Sequence, residues 1–188
     1  MLEANPQAGL KELFSAEQIR REVARVAEEI DRMYGDEPLV VLCVLKGAYA
    51  FFSDLVRHLK NMNVELDFLR LSSYGNASES SGSVTLVKDI DVDITGRHVL
   101  VVEDVVDTGH SISYLLRHLA QLGARSVRVA AVIDKRERRE VDVRVDFSCF
   151  NLDHGFIVGY GMDYSEHYRT LPGISELLFS DRERPGRF

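Results

Sequence analysis

An α/β fold built on a parallel sheet is predicted by three observations in this sequence. Uninterrupted apolar runs of strand length recur at Leu39–Leu45, at Val99–Val102 and at Val127–Ile133, as strands buried on both faces require. Segments with apolar residues at helical spacing alternate with those runs. Polar or glycine-containing stretches follow the strands, where open α/β sheets bind ligands. Strands alternating with helices at this spacing imply right-handed crossovers within one sheet. At 188 residues the chain suits one domain with a full core. It shows no repeat and no internal boundary, so 1–188 reads as a single domain.

Taken in order, residues 1–10 show no pattern and are expected to be poorly ordered. Ser15 and Gln18 form an S-x-x-Q capping box, and the helix behind it places Ile19, Val23, Val26 and Ile30 on one face before stopping near Gly35. Leu39–Leu45 is a strand, and Ala48–Lys60 a helix with Phe51, Phe52, Leu55, Val56 and Leu59 inward. Val64–Leu71 reads as a strand. Residues 72–83 (S-S-Y-G-N-A-S-E-S-S-G-S) are small and polar, which inside a domain means a linker or a functional lid. A strand–helix unit over 98–122 carries Ile112, Leu115, Leu116, Leu119 and Leu122 at helical spacing and stops at Gly123. Val127–Ile133 and the short Phe156–Val158 are further strands, and residues 174–179 are expected to form a last helical turn.

The net charge of −7 argues against a general nucleic-acid binder, because phosphate backbones demand a basic face. No apolar run reaches membrane-spanning length and the N-terminus lacks a secretion pattern. The two cysteines, Cys43 and Cys149, read as core residues in a reducing cytoplasm.

The most informative segment is V-L-V-V-E-D-V-V-D-T-G-H-S, from Val99 to Ser111. Thr108–Ser111 form a turn opening onto a helix, where free N–H groups and the positive dipole end suit a phosphate. Thr108 and Ser111 add hydroxyl donors, and Gly109 lets the backbone come close. Glu103 and Asp104 suit either the vicinal hydroxyls of a sugar or a magnesium ion, and Asp107 lies where a base or leaving group would sit. A strand followed by a solvated acidic turn has the same local pattern. The wording E-D-V-V-D-T-G-H-S, however, resembles the phosphoribosyl-diphosphate signature of the type I phosphoribosyltransferases.

Three further stretches resemble the hypoxanthine-guanine members of that family. V-L-K-G-A-Y around Lys46 and Gly47 is similar to their diphosphate loop, in which the peptide before the lysine is a non-proline cis bond. Ser73 and Tyr74 in the lid candidate resemble their mobile catalytic loop. Lys135, in V-I-D-K-R-E-R-R, matches the lysine that donates to the exocyclic oxygen of a 6-oxopurine, whereas Arg136–Arg139 read as a solvated charged turn. The run H-G-F-I-V-G-Y-G-M-D-Y-S-E-H-Y-R-T-L-P resembles their purine-and-metal segment.

The resemblance implies the type I fold, a parallel sheet flanked by helices with a small hood from the chain ends. It implies transfer of phosphoribosyl from 5-phospho-α-D-ribose 1-diphosphate to N9 of hypoxanthine or guanine, with Mg²⁺ as cofactor and a homodimer or homotetramer as the assembly. It assigns Asp107 as catalytic acid/base. Glu103, Asp104, Thr108, Gly109, His110 and Ser111 would hold the phosphoribosyl group, and Lys46, Gly47 and Arg169 the diphosphate. Lys135, Phe156, Ile157 and Asp163 would surround the purine, with Glu103, Asp104 and Asp163 toward the metal. His110 departs from relatives that carry lysine there, and a histidine makes phosphate affinity sensitive to pH near neutrality. A regulator that binds the same sugar would need a basic surface or an added DNA-binding domain, which this acidic chain does not suggest. An enzyme of the same fold acting on xanthine or another base is the nearer alternative.

Overall fold

The computed structural model describes residues 9–74 and 83–179. In chain order these form β1 (Gly9–Phe14), α1 (Ala16–Tyr34), β2 (Leu39–Leu45), α2 (Tyr49–His58), β3 (Val64–Tyr74), β4 (Ser83–Lys88), β5 (His98–Val106), α3 (His110–Gln121), β6 (Ser126–Lys135), β7 (Phe147–Leu152), β8 (Ile157–Val158) and β9 (Ile174–Leu178).

The main sheet has the order β4-β3-β2-β5-β6-β7, and every pairing is parallel except that of the edge strand β4 with β3. Alternation along β2 divides the core. Leu39, Val41 and Cys43 pack with α1 and α2, whereas Val40, Leu42 and Val44 pack with Ile112, Leu115 and Leu119 of α3, because successive strand side chains point to opposite faces. The capping box on α1 forms as expected: Gln18 N–H donates to Ser15 Oγ at 3.3 Å and Ser15 N–H to Gln18 Oε1 at 2.8 Å. Cys43 and Cys149 are both buried and free, and burial pushes each thiol up to about 12. Among the described residues no helix is long and apolar enough to cross a membrane.

Chain order runs one way from β2 through β3 to β4 and the other way from β5 to β7, so the sheet reverses between β2 and β5. Crevices at such reversals, beyond the carboxyl ends of the strands, are where open α/β sheets bind ligands. Register brings the right residues there: Cys43 lies beside Val102, Glu103 beside Ala131, and Val106 beside Asp134. The segments after Leu45, Val102 and Asp134 therefore emerge along one edge.

A second sheet, β1-β9-β8, is made by strands from near both chain ends and forms the expected hood. It corrects two expectations. Residues 174–179 contribute a strand rather than a helical turn, because β9 is ladder-bonded on both sides, to β1 and to β8; a single isolated turn has no comparable source of stability. Gly9 and Leu10, expected to be poorly ordered, pair with Leu178 and Leu177. Strands β1, β4 and β7 were not anticipated at all. Of the lid candidate, Ser72, Ser73 and Tyr74 continue β3 and Ser83 opens β4; residues 75–82 lie outside the described residues.

Candidate active site

The acidic strand end and the turn after it build the first wall. Glu103 is within β5 and 8% exposed. Burial, and then the neighbouring charge of Asp104, hold its carboxyl well above the ordinary carboxylate range. Its Oε1 accepts from Asp104 N–H at 3.0 Å, and Asp104 Oδ1 accepts from Val105 N–H at 2.7 Å. Gly109 caps α3 with φ +90°, and a Cβ there would stand 2.6 Å from the Val141 carbonyl oxygen. Position 109 thus requires glycine twice over, for its left-handed backbone and for space. The Thr108 carbonyl accepts from Glu140 and Val141 N–H, both at 3.0 Å, which pins the turn to the loop after β6. A cavity of about 260 Å³ lies here, lined by Glu103, Asp104, Asp107, Thr108, Gly109 and Ser111 among others. Backbone N–H groups at a helix start and flanking hydroxyls make its far end suited to a phosphate. His110 turns its imidazole to Glu140, with Nε2 2.7 Å from Oε2.

The loop after β2 builds the facing wall. The Leu45–Lys46 peptide is cis. A second cavity of about 410 Å³ joins Lys46 and Gly47 to Glu103, Asp104, Asp163 and Arg169. The two cavities share Val44, Leu71, Glu103 and Asp104, so they adjoin across the acid pair. Gly47 permits that closeness, and Gly161 packs on its other side: a Cβ at Gly161 would lie 2.0 Å from the Gly47 carbonyl oxygen. Arg169 donates to Asp163 Oδ1 at 2.8 Å and to the Gly161 carbonyl at 2.8 Å. Its Nε is buried and has no partner among the described residues. Lys46 Nζ donates to both carboxylate oxygens of Glu166 at 3.0 Å.

Asp107 and Lys135 meet where β5 and β6 end. Asp107 Oδ2 is 3.8 Å from Lys135 Nζ and 3.7 Å from Arg138 Nη1, while Oδ1 is buried and unpartnered among the described residues. Lys135 is 8% exposed, held by the strand end in a place ordinary for a core residue and unusual for a lysine. Phe156 and Ile157 lie on the hood. Ile157 is buried in β8, and the Phe156 ring, 40% exposed, meets Tyr164 and Phe179 edge-on with centroids 5.4 and 5.6 Å away.

Of the residues singled out in the sequence, Glu103, Asp104, Asp107, Thr108, Gly109 and Ser111 line one cavity and Lys46, Gly47, Asp163 and Arg169 the adjoining one, whereas His110, Lys135, Phe156 and Ile157 line neither. Two further features depart from what the sequence suggested. The charged turn 136–139 is not uniformly solvated. The Arg139 guanidinium donates to the carbonyls of Val106, Asp107, Lys135 and Val143 and pairs with Asp134 at 2.6 Å. It ties the Asp107 turn to the end of β6, and nothing local in R-E-R-R distinguishes it from its neighbours. Arg70 and Glu166 were also overlooked, and both line the larger cavity. A cation within strand β3 is the only sequence signal for the first.

Comparison with known proteins gives the same reading. Residues 9–165 match the phosphoribosyl transferase domain model. The hypoxanthine-guanine phosphoribosyltransferase of Bacillus subtilis (strain 168) is 40% identical over 167 residues, 89% of this chain and 92% of that protein. That of Aquifex aeolicus (strain VF5) is 41% identical over 166 residues, 88% of this chain and 93% of that one. The crystal structure of a hypoxanthine-guanine phosphoribosyltransferase from Bacillus anthracis, with a HEPES molecule in its active site, superposes with a TM-score of 0.85 at 43% identity, covering 90% of this chain and 100% of the other. The chain belongs to the hypoxanthine-guanine phosphoribosyltransferase family.

Proposed function

We propose that this protein is a purine salvage transferase that moves the phosphoribosyl group from 5-phospho-α-D-ribose 1-diphosphate to N9 of hypoxanthine or guanine, releasing diphosphate. The observation that carries the reading most directly is Asp107 Oδ1, a buried acceptor without a donor among the described residues. Leaving such an atom unpaired costs about 1–3 kcal/mol, and a purine N7–H supplies the missing donor. As N9 attacks the anomeric carbon, Asp107 takes that proton as general base, and returns it in the reverse direction. Lys135, one strand away, donates to the 6-oxygen. Adenine presents a donor at that position, so the lysine would be left unpaired against it. The Phe156 ring offers a face to the base, and the Ile157 backbone faces its 2-position edge.

The transferred sugar develops oxocarbenium character as the diphosphate departs. Glu103 and Asp104 orient its hydroxyls, and their negative field tolerates the growing positive charge. Thr108, Gly109, His110 and Ser111 belong to the turn that grips the 5′-phosphate, which holds the reacting carbon in line. Lys46, the Gly47 backbone and Arg169 hold the leaving diphosphate, and the buried, unpartnered Arg169 Nε suits such an anion. Ser73 and Tyr74 belong to the segment assigned to closing over the site and excluding water, the competing nucleophile.

Mg²⁺ fits this donor set. Among the described residues no three metal-binding side chains converge, and none need do so, because Mg²⁺ is typically held by one or two carboxylates with substrate phosphates and water completing its shell. Glu103, Asp104 and Asp163, around one cavity, would hold it, and the raised Glu103 carboxyl is the group a nearby cation would ionise. When bound, the ion neutralises charge on the departing diphosphate. A homodimer or homotetramer is the proposed assembly, supported by exposed Leu66, Phe68 and Val87 on neighbouring strands. Two buried free thiols suit a cytoplasmic setting.

Steady-state turnover of hypoxanthine, guanine, xanthine and adenine, with the sugar diphosphate and Mg²⁺, tests the reading. Hypoxanthine or guanine is expected to give its 5′-monophosphate, and adenine nothing. Binding of the sugar diphosphate with no base consumed would overturn the enzyme reading in favour of a regulator.

A further inference from the structure

Both cations assigned to the diphosphate already hold an anion that belongs to the chain. Glu166 accepts from Lys46 Nζ through both oxygens at 3.0 Å, and its Oε2 lies 3.3 Å from Arg169 Nη2. The carboxylate therefore bridges residues that come from the β2 loop and from the segment before β9. All three side chains line the larger cavity together with Gly47.

The backbone around Glu166 is built to deliver it there. Ser165, Glu166 and Tyr168 have φ of 50°, 66° and 72°, a region non-glycine residues enter sparingly. The tight turn is closed by Tyr164 and His167, whose backbones exchange hydrogen bonds of 3.2 and 3.0 Å. Asp163 Oδ2 accepts from Glu166 N–H at 2.7 Å, which fixes the turn at its base. Donors from two separate segments, Lys46 and Arg169, thus meet on this one carboxylate. Yet its side chain is 64% exposed and that of Lys46 48%, so the pairing is solvent-screened and exchangeable rather than a locked structural bridge.

We propose that Glu166 is an internal stand-in for diphosphate: its carboxylate occupies Lys46 and Arg169 in the unliganded enzyme and must be displaced by the incoming diphosphate group, so that it sets diphosphate affinity and returns to help expel the product. This rests on the assignment of Lys46 and Arg169 to the diphosphate. Displacement puts an anion of higher charge on the same cations and releases Glu166 to solvent. On product departure the tethered carboxylate rebinds at high effective concentration. Glu166 acts through Lys46 and Arg169 and is a positioning residue.

Calorimetric titration of the purified protein with inorganic diphosphate and Mg²⁺, comparing the parent with Glu166→Gln and with Glu166→Gly, tests this. The glutamine keeps shape without charge, and glycine keeps the left-handed backbone without a side chain. Both variants are expected to bind diphosphate about twofold to fivefold more tightly. KM for the sugar diphosphate should fall with it, while KM for hypoxanthine is unmoved and kcat falls wherever diphosphate release limits turnover. Equal or weaker diphosphate binding in both variants would overturn the proposal with the diphosphate seat intact. Absence of diphosphate binding in the parent, with or without the substitutions, would overturn the seat assignment and the proposal together.

Discussion

A side chain at position 47 would collide with Asp104: a Cβ built on Gly47 would stand 1.6 Å from Asp104 Oδ2 and 2.5 Å from its Cγ. The loop after β2 and the acidic strand end are therefore in contact through the absence of one carbon, and the acid's position is set by a glycine from that loop. Gly47→Ala is expected to push the Asp104 carboxylate aside. Misplacing a reacting group by about 1 Å costs about 10²-fold, so kcat/KM should fall by roughly that factor while circular dichroism and the urea midpoint show a folded protein.

Asp107 is expected to carry the proton transfer. Asp107→Asn keeps the shape of the side chain and removes its basicity, so kcat should drop about 10²–10⁴-fold with the dissociation constant of the sugar diphosphate little changed. Loss of sugar diphosphate binding with kcat preserved would instead assign Asp107 to binding.

Lys135 should govern the choice of base. Its ammonium is nearly buried beside Asp107, and a hydrogen bond to a charged group is worth about 1.5–3 kcal/mol. Lys135→Gln is expected to lower kcat/KM for hypoxanthine by about 10- to 100-fold, mostly through KM for the base. Competition between hypoxanthine and adenine in one reaction would show the narrowing of their ratio.

Arg139 is expected to matter for stability as well as rate. Removing its guanidinium would leave Asp134, itself 4% exposed, without its closest cation, and would free four carbonyls. Breaking a buried pair in this way typically costs about 3–5 kcal/mol. Arg139→Ala should lower the urea midpoint accordingly, whereas Arg136→Ala, whose side chain is 72% exposed, should shift it little.

Acid should weaken the fold through Asp67, which is 6% exposed. Burial pushes its carboxyl up, but N–H donors of Phe68 at 2.6 Å, Asp91 at 2.6 Å and Val92 at 3.1 Å, with Lys88 nearby, outweigh it and leave the group below its ordinary value. A depressed folded-state pKa contributes stability above the unfolded value of about 3.9 and loses it as pH falls through the folded one. Asp67→Asn is therefore expected to be less stable than the parent at neutral pH and to converge with it in acid. Urea midpoints measured from roughly pH 7 to roughly pH 3 would trace the convergence.

Sequence alone determined the parts of this protein whose physics is local. The apolar runs of β2, β5 and β6 demanded burial on both faces, the Ser15–Gln18 box started α1, and the Thr108–Ser111 turn announced a helix start fit for a phosphate. The order of the motifs was enough to name the family. Only the tertiary structure decided what depends on residues far apart in the chain. Residues 174–178 became a strand because β1 and β8 supply hydrogen bonds that five residues cannot find among themselves. Arg139 left the solvated turn because four carbonyls and Asp134 surround it. Glu166 reached Lys46 across a separation of 120 residues, and no spacing rule reports such a meeting, since folding rather than sequence proximity brings the two charges together.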